Sequence, residues 1–181
     1  MNVANETIEL MLSRGGAAYF GESVSQLEHA LQAAHCAVRA GSPPELVLAA
    51  LLHDIGHLLH DRSESVADEG IDTEHETAGY EWILARFGPS IAEPVRDHVA
   101  AKRYLCRVEP DYRDRLSASS LQSLKLQGGP FHDDEARQFE MLPRYREAVL
   151  LRRWDDEAKV AGLEVPPIEN YREMLNHAAS R

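Results

Sequence analysis

Apolar positions along the chain recur with a helical period almost throughout, and short alternating runs of β-branched residues between turn residues are nearly absent. This pattern predicts helices over about 3–13, 26–40, 43–59, 74–87 and 91–104, and further ones over about 115–126, 133–141, 143–160 and 167–178. Start signals agree with it. Ser25-Gln-Leu-Glu28, Ser42-Pro-Pro-Glu45, Thr73-Glu-His-Glu76 and Ser90-Ile-Ala-Glu93 each set a hydroxyl three residues before a glutamate, the spacing of a capping box. Pro43 suits a first helical turn, and Gly41 and Gly88 stand where helices should stop. The segment 47–59, VLAALLHDIGHLL, is apolar almost all round, which marks a buried central helix. The expected fold class is all-α. With no internal repeat, low-complexity tract or long linker, 1–181 reads as one domain.

Composition narrows the function classes. The 181 residues are 44% hydrophobic and 27% charged, which suits a soluble chain with a sizeable core. No stretch approaches the roughly 18 apolar residues that span a bilayer, and the N-terminus lacks a basic-then-apolar leader, so a cytoplasmic protein is expected. Cys36 and Cys106 are too few for a disulfide framework or a zinc knuckle. A net charge of −11 disfavours nucleic acid and anionic membrane as partners. Nine histidines, by contrast, are a high count and fit a metal site.

The buried central helix carries His53, Asp54 and His57. Burying an adjacent His-Asp pair among apolar residues is costly unless the two are paired or ligate a metal. A core histidine satisfied by its aspartate is the plain alternative for an isolated pair. This pair is not isolated: His29 lies early in the preceding helix, His75 opens the next, and His98 lies in the one after that.

In this ordered set the chain resembles the HD-domain family of metal-dependent proteins, whose signature is a histidine, a His-Asp dyad and a late aspartate on a helical bundle. The matching residues are His29, His53-Asp54 and, in REAVLLRRWDDE, Asp155. The adjacent Asp156 is the alternative; Asp155 is preferred because it shares a helix face with Arg152. The resemblance implies one metal held by His29, His53, Asp54 and Asp155, and a second held by His75 and His98 with Asp54 bridging. Such a donor set suits iron or manganese better than calcium or magnesium.

Most HD-domain proteins are phosphohydrolases. Tyr19-Phe-Gly-Glu22, just upstream of QLEH, instead resembles a small subgroup, the mixed-valent diiron oxygenases that cleave the carbon–phosphorus bond of 1-hydroxyphosphonates. In that subgroup the tyrosine caps an iron at rest and the glutamate contacts the cationic end of the substrate. Independently of the family, Lys102 follows His98 by four residues, Arg152 precedes Asp155 by three, and His57 follows His53 by four. Three potential cations thus converge on the expected metal centre, the setting for a compact dianion such as phosphonate. In the resembled subgroup these three residues hold the phosphonate, and Ser120 in SASSLQS matches a further contact. The alternatives are a loop aromatic for Tyr19, a solvated charge for Glu22, and a solvated helix face for Lys102 and Arg152.

The resemblance implies an O2-dependent oxidation at two iron ions, Fe(II)/Fe(III), with no external reductant, that releases inorganic phosphate and a carboxylic acid. If Glu22 meets an ammonium, the substrates are 1-hydroxy-2-aminoethylphosphonate or its trimethylated analogue, giving glycine or glycine betaine, after an upstream phosphonate hydroxylase. Tyr19, Phe20, Tyr104 and the acidic run 68–74 could serve either cation. The rival readings are an HD phosphohydrolase and a catalytically dead HD regulatory domain. His60 shares a face with His57, His35 faces away from His29, and His132 and His177 are expected to be exposed. The cysteines have no histidine partner at motif spacing, and Trp82 and Trp154 read as core.

Overall fold

The computed structural model describes residues 2–19, 21–59 and 75–180. Phe20, His60, the acidic run 68–74 and the capping box expected at Thr73 lie outside the described residues, wholly or in part. The elements are α1 (Val3–Arg14), α2 (Gln26–Arg39), α3 (Pro44–Leu52), α4 (Ile55–Leu58), α5 (His75–Phe87), α6 (Pro89–Val108), α7 (Ala118–Leu126), α8 (Asp133–Glu140), α9 (Tyr145–Glu157) and α10 (Arg172–Ala179). Short 3-10 turns at Arg113–Arg115 and Ile168–Tyr171 precede α7 and α10, where longer continuous helices were expected. No strand occurs among the described residues; one isolated antiparallel bridge joins Ala18 to Ser25. The all-α expectation holds. No described helix is long and apolar enough to cross a membrane.

Caps explain where some helices begin. At α2 the expected box forms: Ser25 Oγ accepts from the Glu28 N–H at 3.2 Å, and Glu28 Oε2 accepts from the Ser25 N–H at 2.7 Å. At α3 and α6 it does not. Pro43 takes the N-cap position of α3 without a side-chain bond. Gly88, at φ 83°, lets α6 start at Pro89, so Ser90 already lies inside the first turn.

The largest departure from expectation is the central segment. One helix over 43–59 was expected, yet it breaks at His53-Asp54, with Asp54 at φ −104° and ψ 12°. Along a continuous helix adjacent side chains diverge by about 100°, so His53 and Asp54 could not both face one point. The break turns both inward. Upstream of it, every residue from Leu46 to Leu52 is buried, with α3 packed against α2, α6 and α9. The dyad therefore sits at the end of an almost wholly buried helix.

Candidate metal centre and anion site

His29 on α2, His53 and Asp54 at the α3–α4 break, His75 at the start of α5, His98 in α6 and Asp155 in α9 converge, all of them buried. His29 Nε2 lies 3.0 Å from His53 Nε2, 3.6 Å from Asp54 Oδ2 and 3.3 Å from Asp155 Oδ1. His53 Nε2 is 3.4 Å from the same Asp54 oxygen. On the other side, His75 Nε2 and His98 Nε2 are 3.4 Å apart, at 3.4 and 3.6 Å from Asp54 Oδ1. The two oxygens of Asp54 thus serve two separate histidine pairs.

The tautomers follow from the outer partners. His29, His53 and His98 place Nδ1 at 2.8, 2.9 and 2.6 Å from the carbonyl oxygens of Ala158, Ala50 and Val95. A carbonyl only accepts, so in the neutral ring each Nδ1 keeps the hydrogen and each Nε2 can turn a lone pair inward. Three such lone pairs, with His75 Nε2 beside them, meet two ionised carboxylates. Asp54 Oδ2 and Asp155 Oδ1 are buried and accept no hydrogen bond among the described residues. A proton could serve one of these contacts; a cation between the donors serves them all. The donor set, imidazole nitrogens with carboxylate oxygens in two groups, fits a pair of iron-type ions.

Electrostatics agree at His75 and His98. Burial pushes His98 down to about 4 and His75 well below its ordinary value, the neutral form a ligand needs. His53 runs the other way: burial pulls it down, but the charges of Asp54 and Asp155 lift it to about 9, so its Nε2 holds a proton that a metal must displace on binding. Burial pushes the Asp54 carboxyl up, but the charge of His53 outweighs it and holds the group well below the usual carboxylate range. Asp155 is held low mainly because Arg152 outweighs its own burial.

Around this centre stand the residues expected to meet an anion. Arg152 is buried; its Nη1 donates to Asp155 Oδ2 at 2.6 Å and its Nε to Tyr112 Oη at 3.1 Å. Asp156 accepts from both Tyr112 and Arg152, so it braces the arginine from behind while Asp155 faces the histidines. Lys102 is buried with its Nζ donating to Ser123 Oγ at 2.7 Å, and burial together with the charge of Arg152 brings it down to about 7. Ser120 Oγ lies 3.5 Å from Arg152 Nη2. His57 departs from expectation in charge. It stacks on His75 at 4.0 Å between ring centroids, and burial pushes it below its ordinary value, so at neutral pH it offers an imidazole and not a third positive charge.

The 17–26 segment brings the tyrosine and glutamate in. Tyr19 N–H donates to the Val24 carbonyl at 2.9 Å and Glu22 N–H to the Tyr19 carbonyl at 2.7 Å, closing a turn whose left-handed position is filled by Gly21, at φ 74°. Tyr19 then stacks on His29, with ring centroids 3.9 Å apart and 17° between planes. Burial, then Asp54 and Asp155, raise its hydroxyl well above the ordinary tyrosine range, so it remains a neutral donor. Glu22 accepts from Ser119 Oγ at 2.6 Å and lies 3.4 Å from Lys159 Nζ.

Several expected bystanders are confirmed as such, and several contributors were not anticipated. His132 and His177 are exposed, the two cysteines are unbridged, and Trp154 is in the core. Tyr104, offered above as an aromatic face for a substrate cation, packs on Phe139 and donates its hydroxyl to Glu140. Missed from the sequence are Tyr112 and Ser123, which hold the two cations, Gln32 and Lys159, and Gly56. A Cβ on Gly56 would stand 2.0 Å from the His75 carbonyl oxygen, so only glycine lets α4 reach α5 and deliver His75.

The model of the HD domain matches residues 27–158. The chain is 49% identical over 166 residues to a protein of Gimesia maris named hydroxymethylphosphonate dioxygenase, covering 90% of this chain and 81% of that one. It is 42% identical over 169 residues to the [1-hydroxy-2-(trimethylamino)ethyl]phosphonate dioxygenase (glycine-betaine-forming) of Leisingera caerulea, covering 93% and 86%. An uncharacterised protein of Acanthamoeba polyphaga mimivirus is 34% identical over 173 residues, covering 94% and 79%.

Proposed function

The chain belongs to the HD-domain family, and we propose that within it the protein is an O2-dependent dioxygenase that cleaves the carbon–phosphorus bond of a small 1-hydroxyphosphonate. The observation that carries this reading is the division of Asp54 between two histidine pairs, directly beside a buried lysine and arginine. A dinuclear centre next to a dianion subsite is what such a reaction needs, and two relatives named as phosphonate dioxygenases support it over hydrolysis.

In this reading His29, His53, Asp54 and Asp155 hold one iron, and His75 and His98 hold the second with Asp54 shared. When bound, the mixed-valent iron pair supplies the redox chemistry with O2 and acidifies the C1 hydroxyl of the substrate. The rest is done by side chains of this chain. Arg152 meets the phosphonate as a fixed charge, because Asp155, Tyr112 and Asp156 leave its guanidinium one orientation. Lys102 and Ser120 complete the anion subsite, and His57 lends it a hydrogen bond. Tyr19 covers the His29 side of the centre and gives way when substrate enters, which withholds the site from water until then. Glu22 lines the end away from phosphorus.

For hydroxymethylphosphonate the balance is one O2 consumed and one C–P bond broken, with formate and inorganic phosphate as products. The test is iron-loaded protein given this compound with and without air. Equal amounts of O2 consumed and phosphate released, and no phosphate under nitrogen, are expected. Phosphate release from a phosphate monoester without O2 would return the site to the hydrolases.

A further inference from the structure

Lys159 has no part in the reaction as described, yet its ammonium stands inside the site. It follows α9 directly, and its Nζ lies 3.4 Å from Glu22 Oε1, 3.0 Å from Ser120 Oγ as donor, and 5.6 Å from the centre of the Tyr19 ring. Both partners of the ion pair are largely withdrawn from water, Lys159 at 12% and Glu22 at 16% side-chain exposure. A carboxylate and the face of a tyrosine are what a substrate ammonium two carbons from phosphorus would seek. In this chain they already face an ammonium.

The lysine is not placed there by chance of rotamer alone. On one side of it the Ala158 carbonyl accepts from His29 Nδ1, and on the other Val160 exchanges two hydrogen bonds with Gln32. Its backbone is thus tied at both neighbours, and the side chain has Glu22 and Ser120 as partners within reach. A second ammonium brought in by a substrate would have to share one carboxylate with Lys159 or displace it, in a place where water screens like charges poorly.

We propose that Lys159 is a specificity-determining residue: it occupies the ammonium subsite formed by Glu22 and Tyr19 and so directs the enzyme to 1-hydroxyphosphonates without a cationic substituent, hydroxymethylphosphonate being the smallest. This rests on the dioxygenase reading above and names the substrate class within it.

The test compares iron-loaded wild type, Lys159→Met and Lys159→Arg on two compounds, hydroxymethylphosphonate and 1-hydroxy-2-(trimethylamino)ethylphosphonate. Binding is measured by calorimetry without O2, and phosphate release with it. Wild type is expected to bind the uncharged-tail compound about tenfold or more tighter, and Lys159→Met to close that gap by about tenfold through a gain on the cationic compound. Lys159→Arg keeps the preference. Lys159→Gln, which retains a donor for Ser120 without the charge, gives the same comparison if the methionine variant does not fold. Wild-type preference for the cationic compound overturns the inference. So does an equal loss on both compounds in Lys159→Met, which would make the lysine a phosphonate contact. With turnover intact, either result removes this inference alone; no binding and no turnover of both compounds removes the dioxygenase reading and the inference with it.

Discussion

Gln32 and Val160 exchange two hydrogen bonds: the amide Nε2 donates to the Val160 carbonyl at 2.8 Å, and the Val160 N–H donates to Oε1 at 3.0 Å. Since α9 ends at Glu157, this exchange and the His29–Ala158 bond fix residues 158–160 against α2. Gln32→Leu keeps the bulk and loses both bonds, at a cost of about 1–2 kcal/mol in stability because the exposed side of Val160 can turn to water. The expected signature is local: faster amide exchange over 158–160 and weaker metal retention through a loosened His29. Unchanged exchange there would show that the strap is held by something other than Gln32.

Gly56 makes a sharper prediction. Its missing Cβ leaves room for the His75 carbonyl at a distance no side chain tolerates, whereas a Cβ on Gly79, facing it, would meet its nearest atom at an ordinary 3.4 Å. Gly56→Ala must push the start of α5 away, and both neighbours are backbone, so the strain of about 1–3 kcal/mol cannot relax through a rotamer. The variant is expected to stay helical by circular dichroism but to lose iron from the His75–His98 side, while Gly79→Ala keeps its iron. Full iron content in Gly56→Ala would mean that α5 can reseat without cost.

These two residues also show what the sequence conveys and what it hides. His29, His53, Asp54, His75 and His98 were legible because a buried His-Asp pair among apolar neighbours demands a partner and further histidines recur on successive helices. Asp155 was legible only through the resemblance to the HD-domain family. Lys102 and Arg152 were legible because three- and four-residue spacing puts them on a ligand's face. The break at His53-Asp54 was not: the apolar run continues through it, and no proline or glycine precedes Gly56 to mark a stop. Nor does any local pattern tie Glu22 to Lys159 or Gln32 to Val160. Those pairings exist only because α9 returns alongside α2. Of the adjacent aspartates, helix geometry alone separates their directions, and the structure turns Asp155 to the histidines and Asp156 to Tyr112.

In the proposed centre both metals share Asp54. Asp54→Ala removes a donor from both histidine groups and leaves facing imidazole lone pairs without a counter-charge, so both irons should be lost on purification. His75→Ala or His98→Ala should remove one iron and keep the other, seen as half the iron content by elemental analysis. Two-iron occupancy in Asp54→Ala would mean that the carboxylate does not bridge.

If Lys102 meets the phosphonate as proposed, it is expected to give binding its pH dependence. Burial and the nearby Arg152 charge bring its pKa to about 7, so it is charged below that pH and becomes neutral as pH rises through it. An arriving dianion favours the ammonium, so above pH 7 binding must take up a proton. Affinity should therefore fall by up to about tenfold per pH unit, and calorimetry of the iron-loaded protein at pH 8 in buffers of different ionisation enthalpy should read uptake of about one proton. Lys102→Met should bind roughly ten- to a hundredfold more weakly, the loss of a charge-assisted contact of about 1.5–3 kcal/mol. It should also lose the proton uptake while keeping its iron. Arg152→Met weakens binding as well, but by removing the charge that depresses Lys102 it should raise the lysine's pKa and shrink the uptake at pH 8. Proton uptake that survives in Lys102→Met would assign the titration to another group and leave the lysine as a fixed charge.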